Sequence, residues 1–184
     1  MKTLLKAIAR AVLGDYAPYY ILVSPAQPSA PPAQGGNTNY RIAPIDEEAI
    51  RNCPDSLIRE QAAYAGADAL AYACHDGDRI VGICFYWHGA RYLTRNFWPL
   101  KPREAKLVQI ITAPDMRGKR VAGTLIAASC AQVLASGFER AYARVWHSNE
   151  PSLRAFYGAG WTRRAVVLEL NPLRRKKPMR LRLG

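Results

Sequence analysis

Residues 117–126 read RGKRVAGTLI: a basic cluster around one glycine, two small residues, then an apolar run. They follow a buried-strand pattern, AKLVQIITAPD, and open a helical one. A helix start ordinarily takes an acid or a hydroxyl as its cap. Cations there are unfavourable unless an anion joins them, because unpaired backbone N–H groups and the helix dipole already make that end positive. Arg117, Lys119 and Arg120 therefore mark an anion cradle, with Gly118 admitting a phosphate close to the backbone. A second chemical stretch, NEPSLRAFYGAGW, places Asn149 before a helix and Tyr157 near its end. A tyrosine hydroxyl can donate a proton while neutral.

Elements must hold these residues in place, and their order is legible. The segment NYRIAPID suggests a short strand, after which Asp46 or a neighbour caps a helix that Pro54 breaks; a second helix covers residues 56–64. The clearest hairpin joins residues 69–74 to 79–87 through His75, Asp76, Gly77 and Asp78, and its second strand is apolar on both faces, as in a sheet centre. Ala122, Leu125, Ile126, Ser129, Cys130 and Val133 recur at helical spacing within residues 120–136, which Gly137 terminates. RAYARVWHSN is a further strand, Pro151 opens the next helix, and TRRAVVLEL and PMRLRL supply one or two more strands. The alternation gives an α/β fold with a mixed sheet.

Composition bounds the rest. A chain of 184 residues with 49% hydrophobic and 22% charged residues suits one packed domain. Its net charge of +12 implies an anionic partner: nucleic acid, anionic lipid or a phosphate-rich cofactor. Cys53, Cys74, Cys84 and Cys130 lack C-x-x-C spacing and read as core thiols rather than zinc ligands or disulfides, so a cytoplasmic setting is the default. No apolar run is long enough to span a membrane. Lys2, Lys6 and Arg10 lie opposite Leu4, Leu5, Ile8, Val12 and Leu13, which makes residues 1–14 a cationic amphipathic helix. It suits an anionic membrane surface, or docking on the body of the protein or on a second subunit, which leaves a homodimer open. Residues 1–23 then form this helix and a short extension. Residues 24–37, with four prolines and two glycines, form a linker, and residues 38–184 the folded domain with its basic tail.

The stretch from Arg117 to its small residues, Arg117, Gly118, Lys119, Arg120, Val121 and Ala122, resembles motif A of the GNAT superfamily of N-acetyltransferases. Arg120 stands where that pattern has its inner glycine. Asn149, Phe156, Tyr157, Gly160 and Trp161 resemble motif B, with Trp161 where phenylalanine is commoner. The resemblance covers about residues 40–170. It implies a mostly antiparallel sheet of six or seven strands with about four helices, acetyl-CoA as acyl donor without a metal, and a primary amine on a small molecule or a protein as acceptor. It further implies that residues 117–122 hold the diphosphate and that Ile110 and Thr112 contact pantetheine where the fourth strand of that fold splays from the fifth. Ile110 N–H would polarise the thioester carbonyl, Asn149 would help hold the pantetheine or the active-site water, and Tyr157 would protonate the departing thiolate.

Many relatives carry a glutamate base on the fourth strand, where this chain has Lys106, Val108 and Gln109. Glu104 is the nearest carboxylate. His147, His75, His88 and a water ordered by Gln109 are alternatives. Tyr86, Trp87, Tyr92, Phe97 and Trp98 either wall an acceptor pocket or enter the core. The tail RRKKPMRLRLG is a solvated end, or meets lipid headgroups beside residues 1–14, placing the protein peripherally on a membrane. Nucleic-acid binding ranks last, for want of a recognition helix or stacking motif. A non-catalytic acyl-CoA-binding module is the rival to an enzyme.

Overall fold

Aromatic and β-branched runs dominate the strands. They are β1 (Asp15–Val23), β2 (Arg41–Pro44), β3 (Ala69–Asp76), β4 (Arg79–Trp87), β5 (Glu104–Thr112), β6 (Arg140–Trp146), β7 (Thr162–Asn171) and β8 (Met179–Leu183). They form one sheet in the order β2-β3-β4-β5-β6-β1-β7-β8 in a computed structural model that describes residues 15–26, 40–94, 97–171 and 179–183. Every neighbouring pair is antiparallel except β5 and β6. The expected β3–β4 hairpin forms, but β3 runs on to Asp76, which pairs with Arg79, so Gly77 and Asp78 alone make the turn; β4 is buried on both faces, with Val81, Ile83, Cys84, Phe85 and Tyr86 all at 0% exposure.

β1 overturns one expectation. The folded body does not begin near Tyr40. Residues 15–23, expected as part of an extension, insert between β6 and β7 and pair with both, Tyr19 opposite Trp146 on one side and Val167 on the other. Burial explains it: Tyr19, Ile21 and Leu22 are 4%, 0% and 0% exposed. Pro18 is tolerated because the β6 ladder starts only at Tyr19, so its missing N–H removes no ladder bond, while its carbonyl accepts from His147 N at 3.1 Å. The expected helix at residues 1–14 and most of the linker lie outside the described residues. Part of the basic tail is β8, one of the two edge strands, where Arg180 and Arg182 blunt further pairing.

Two helices cover one sheet face. α4 (Val121–Ala135) and α5 (Glu150–Gly158) pack Val121, Leu125, Ile126, Cys130, Val133, Leu153 and Phe156 on Cys84, Tyr86, Leu107, Ala143 and Val145. The other face carries two smaller clusters. In one, α1 (Glu47–Arg51), α2 (Ser56–Arg59) and a 3-10 turn at Ala62–Tyr64 lay Ile50, Ile58 and Ala62 over Ile83 and Phe85. In the other, Phe97 and Trp98 cover Tyr19, Ile21, Ala165 and Val167. Asp46 caps α1 by accepting from Ala49 N at 2.8 Å, as expected. The single helix expected over residues 56–64 is two pieces, because Gln61 leaves the helical run and its side chain donates to Leu57 O at 3.1 Å.

The aromatic segment enters the core. It includes α3 (Gly89–Leu93), and Tyr86, Trp87, Tyr92, Phe97 and Trp98 are all buried. Tyr92 is locked from both sides, its hydroxyl donating to Trp98 O at 2.7 Å and accepting from Trp98 N at 2.8 Å. The four cysteines are free and buried, as core thiols should be. Among the described residues no helix is long and apolar enough to cross a membrane.

Candidate active site

The site begins as a fork in the sheet. β5 and β6 pair in parallel from Glu104 opposite Arg140 to Leu107 opposite Ala143, and there the ladder stops. The reason lies on the other side of β5. Tyr86 pairs with Leu107 but Phe85 with Gln109, so Val108 is an extra residue, a bulge that bends β5 away. Beyond it β5 holds only to β4, while β6 holds only to β1. Ala113 N donates to Val81 O at 2.9 Å, toward β4. Strand alternation then turns Ile111 to β4 and the backbone groups of Ile110 and Thr112 into the opening. The wedge is about 15 Å long at strand rise.

At its mouth lies the turn that opens α4. After a 3-10 turn at Pro114–Met116, Gly118 takes φ +79° and Arg120, the residue before the helix, takes φ +63°. The backbone thus keeps the left-handed conformation that makes glycine the usual choice, although an arginine occupies it. No side chain caps this helix end, and no acid stands in its first turn. The amides of its first turn thus have no side-chain cap, and Arg117 and Lys119 are their neighbours in the turn. Gly82 on β4 lets α4 come this close: a Cβ there would lie 2.9 Å from Val121 Cγ1. Tyr40 OH donates to Lys119 O at 3.3 Å and braces the turn.

α5 flanks the same opening. Asn149 Oδ1 accepts from Ser152 N at 3.2 Å, so this oxygen caps the helix, and Pro151 sits in the first turn. Tyr157, in the last turn, is 44% exposed. Phe156 and Trp161 pack edge to face at 5.0 Å and anchor the helix end.

The family model for the acetyltransferase (GNAT) family matches residues 39–161. The chain belongs to the GNAT family. That family is one of acetyltransferases. Solved structures agree in fold. An N-acetyltransferase of Sphaerobacter thermophilus superposes with a TM-score of 0.58 at 14% identity, over 100% of this chain and 58% of that one. A GNAT-family acetyltransferase of Colwellia psychrerythraea gives 0.56 at 13% identity, over 91% and 60%. A GNAT-family protein of Novosphingobium aromaticivorans gives 0.54 at 16% identity, over 85% and 64%. The chain thus spans less than two thirds of the length of these structures. No protein of curated function matches its sequence.

Within this GNAT fold, the candidate bases separate. Glu104 is set apart from the opening. It starts β5, about 20 Å of extended chain before Ile110, and its carboxylate accepts from Lys101 N at 2.7 Å and Tyr142 OH at 3.2 Å. The carboxylate named from sequence thus fastens the closed end of the fork, because a strand long enough to reach the wedge carries its first residue to the other end. His88 shares that end, its ring 5.0 Å from Phe138. His75 sits near the edge of the sheet opposite Arg41, and burial, then the Arg41 charge, push its pKa down. His147 is exposed directly after β6. Gln109 shares a face with Phe85, and its Nε2 donates to Gln61 Oε1 at 3.1 Å.

Sequence reasoning missed a cationic group on the same face. Lys106 is buried at 4% exposure. Its Nζ lies 5.1 Å from the centre of the Phe97 ring, and the Arg144 guanidinium 4.2 Å from it. The alternation of Arg144 with Tyr142 and Trp146 was a readable signal that all three share one face of β6.

Proposed function

We propose that this protein transfers an acetyl group from acetyl-CoA directly to a primary amine. The observation that supports it most is the alignment of the wedge between β5 and β6 with the uncapped, cationic turn at the start of α4. A diphosphate on that turn lets a pantetheine arm run down the wedge along Ile110 and Thr112. The amine nitrogen then attacks the thioester carbonyl carbon. As the C–N bond forms, Ile110 N–H stabilises the charge on the carbonyl oxygen. The C–S bond breaks, and Tyr157 gives its proton to the departing sulfur. The proton lost by the amine passes to a water held by the Gln61–Gln109 pair or to His147, and returns through solvent to Tyr157. Products are the N-acetyl amine and free CoA thiol.

Among the described residues, β5 and β6 carry a single carboxylate, Glu104, at the closed end of the fork. That favours one rival, an acyl-CoA-binding module without turnover. The two are separated by incubating the chain and acetyl-CoA with a panel of primary amines, following thiol release and weighing the products. A product heavier by one acetyl group supports the enzyme. Saturable CoA binding with thiol release at the amine-free background for every amine supports the module.

A further inference from the structure

The face of the sheet that opens onto the fork concentrates positive charge. Arg144, Arg180 and Lys106 place their charged groups 4.2 Å, 4.4 Å and 5.1 Å from the centre of one ring, that of Phe97. Within this group, Glu169 Oε2 accepts from Arg180 Nε at 2.9 Å. Arg144 is exposed and makes no ion pair among the described residues. Arg144 also lies over Tyr19 at 4.8 Å and Lys106 over Tyr92 at 5.5 Å, and attraction to these rings and to Phe97 offsets only part of the repulsion between like charges. An anion beside Arg144 would offset the remainder.

Position gives the cluster its meaning. Leu107 opposite Ala143 is the last β5–β6 pair, and Arg144 is the next residue, at the vertex of the fork. Lys106 lies on β5 just before that vertex, on the same face as Arg144 because both approach Phe97. We propose that Arg144, with Lys106 and Arg180, binds an anionic group on the acceptor, so that the preferred acceptors are primary amines carrying a carboxylate or phosphate a few bonds from the nitrogen. This rests on the acetyl-transfer reading. The same cations disfavour an ammonium at the fork, so the amine enters its neutral, nucleophilic form without a carboxylate base on β5.

The test compares matched amines differing only in the anion: phosphoethanolamine against ethanolamine, and β-alanine against its amide. The expected result is a kcat/KM about tenfold higher for the anionic member of at least one pair, the scale of one charge-assisted hydrogen bond. The pair that discriminates identifies phosphate or carboxylate. Arg144→Gln should bring the ratio close to one, and Arg144→Lys should restore part of it. Equal rates within both pairs, preference for the neutral amines, or a ratio unmoved by Arg144→Gln overturns the proposal. Calorimetry with CoA-saturated protein, whose diphosphate site is filled, keeps the question separate from turnover. If no amine is acetylated, the transfer reading fails; phosphoethanolamine or β-alanine binding that Arg144→Gln abolishes still upholds the anion site, and absence of such binding sinks it.

Discussion

Tyr40 donates its hydroxyl to the carbonyl of Lys119 across 3.3 Å, tying the residue before β2 to the turn that opens α4. That single bond steadies a segment whose own glycine and left-handed arginine leave it little local rigidity. Tyr40→Phe should cost about 1 kcal/mol of stability, the usual worth of one hydrogen bond. It should also weaken CoA binding a few-fold. Calorimetry and chemical denaturation on the same sample check both.

Arg120 answers the sequence puzzle in backbone terms. It holds φ +63° at the position where glycine is commoner in the family. Arg120→Gly should relieve about 1 kcal/mol of left-handed strain, less the entropy that glycine adds to the unfolded chain. CoA affinity should nevertheless fall and lose part of its salt dependence, because a cation leaves the diphosphate site. Stability and affinity moving in opposite directions is the expected signature; both falling together would contradict it.

Gly82 sets how close α4 approaches the sheet. An added Cβ would stand 2.9 Å from Val121 Cγ1 and 3.1 Å from Ile111 O. Gly82→Ala should cost about 1–3 kcal/mol, as overpacking does, and should weaken CoA binding by displacing the helix start. A variant with wild-type melting and affinity would show that the helix does not depend on this contact.

Tyr157→Phe separates chemistry from binding. Loss of a positioned proton donor should lower kcat by about a hundredfold or more, with CoA affinity close to wild type. An unchanged kcat removes Tyr157 from the reaction.

The buried thiols predict an alkaline limit. Burial pushes the pKa of Cys74 and of Cys84 up to about 12. Unfolding would return them to ordinary thiol values, near 8.5. Both states are protonated below that value, so the stabilisation is complete there and is lost as pH rises toward about 12. Melting temperature should fall steadily above pH 9, and native protein at pH 8 should resist iodoacetamide at both positions.

Helical period and turn residues made α4, α5 and the β3–β4 hairpin legible in the sequence, since each is fixed by local pattern. β1 was not, because DYAPYYILV becomes a central strand only through partners more than a hundred residues away in β6 and β7. Trp161 shows a finer limit. Spacing located it, but only the structure shows its indole N–H buried without a hydrogen-bond partner among the described residues. The cationic group at Phe97 was equally hidden, because Lys106, Arg144 and Arg180 come from three strands that meet only in the folded sheet. Glu104 was misplaced for the converse reason: proximity along the chain did not reveal which end of β5 faces the wedge.

Acetyl transfer in this protein depends most on the backbone amides at the start of α4 holding a diphosphate. Amide resonances of Lys119, Arg120, Val121, Ala122 and Gly123 followed by NMR during titration with CoA, and separately with pantetheine, test this directly. Large saturable shifts at these residues with CoA, and none with pantetheine, which has no diphosphate, are the predicted result. Silence at these amides while CoA shifts resonances elsewhere, or no binding at millimolar CoA, would contradict it.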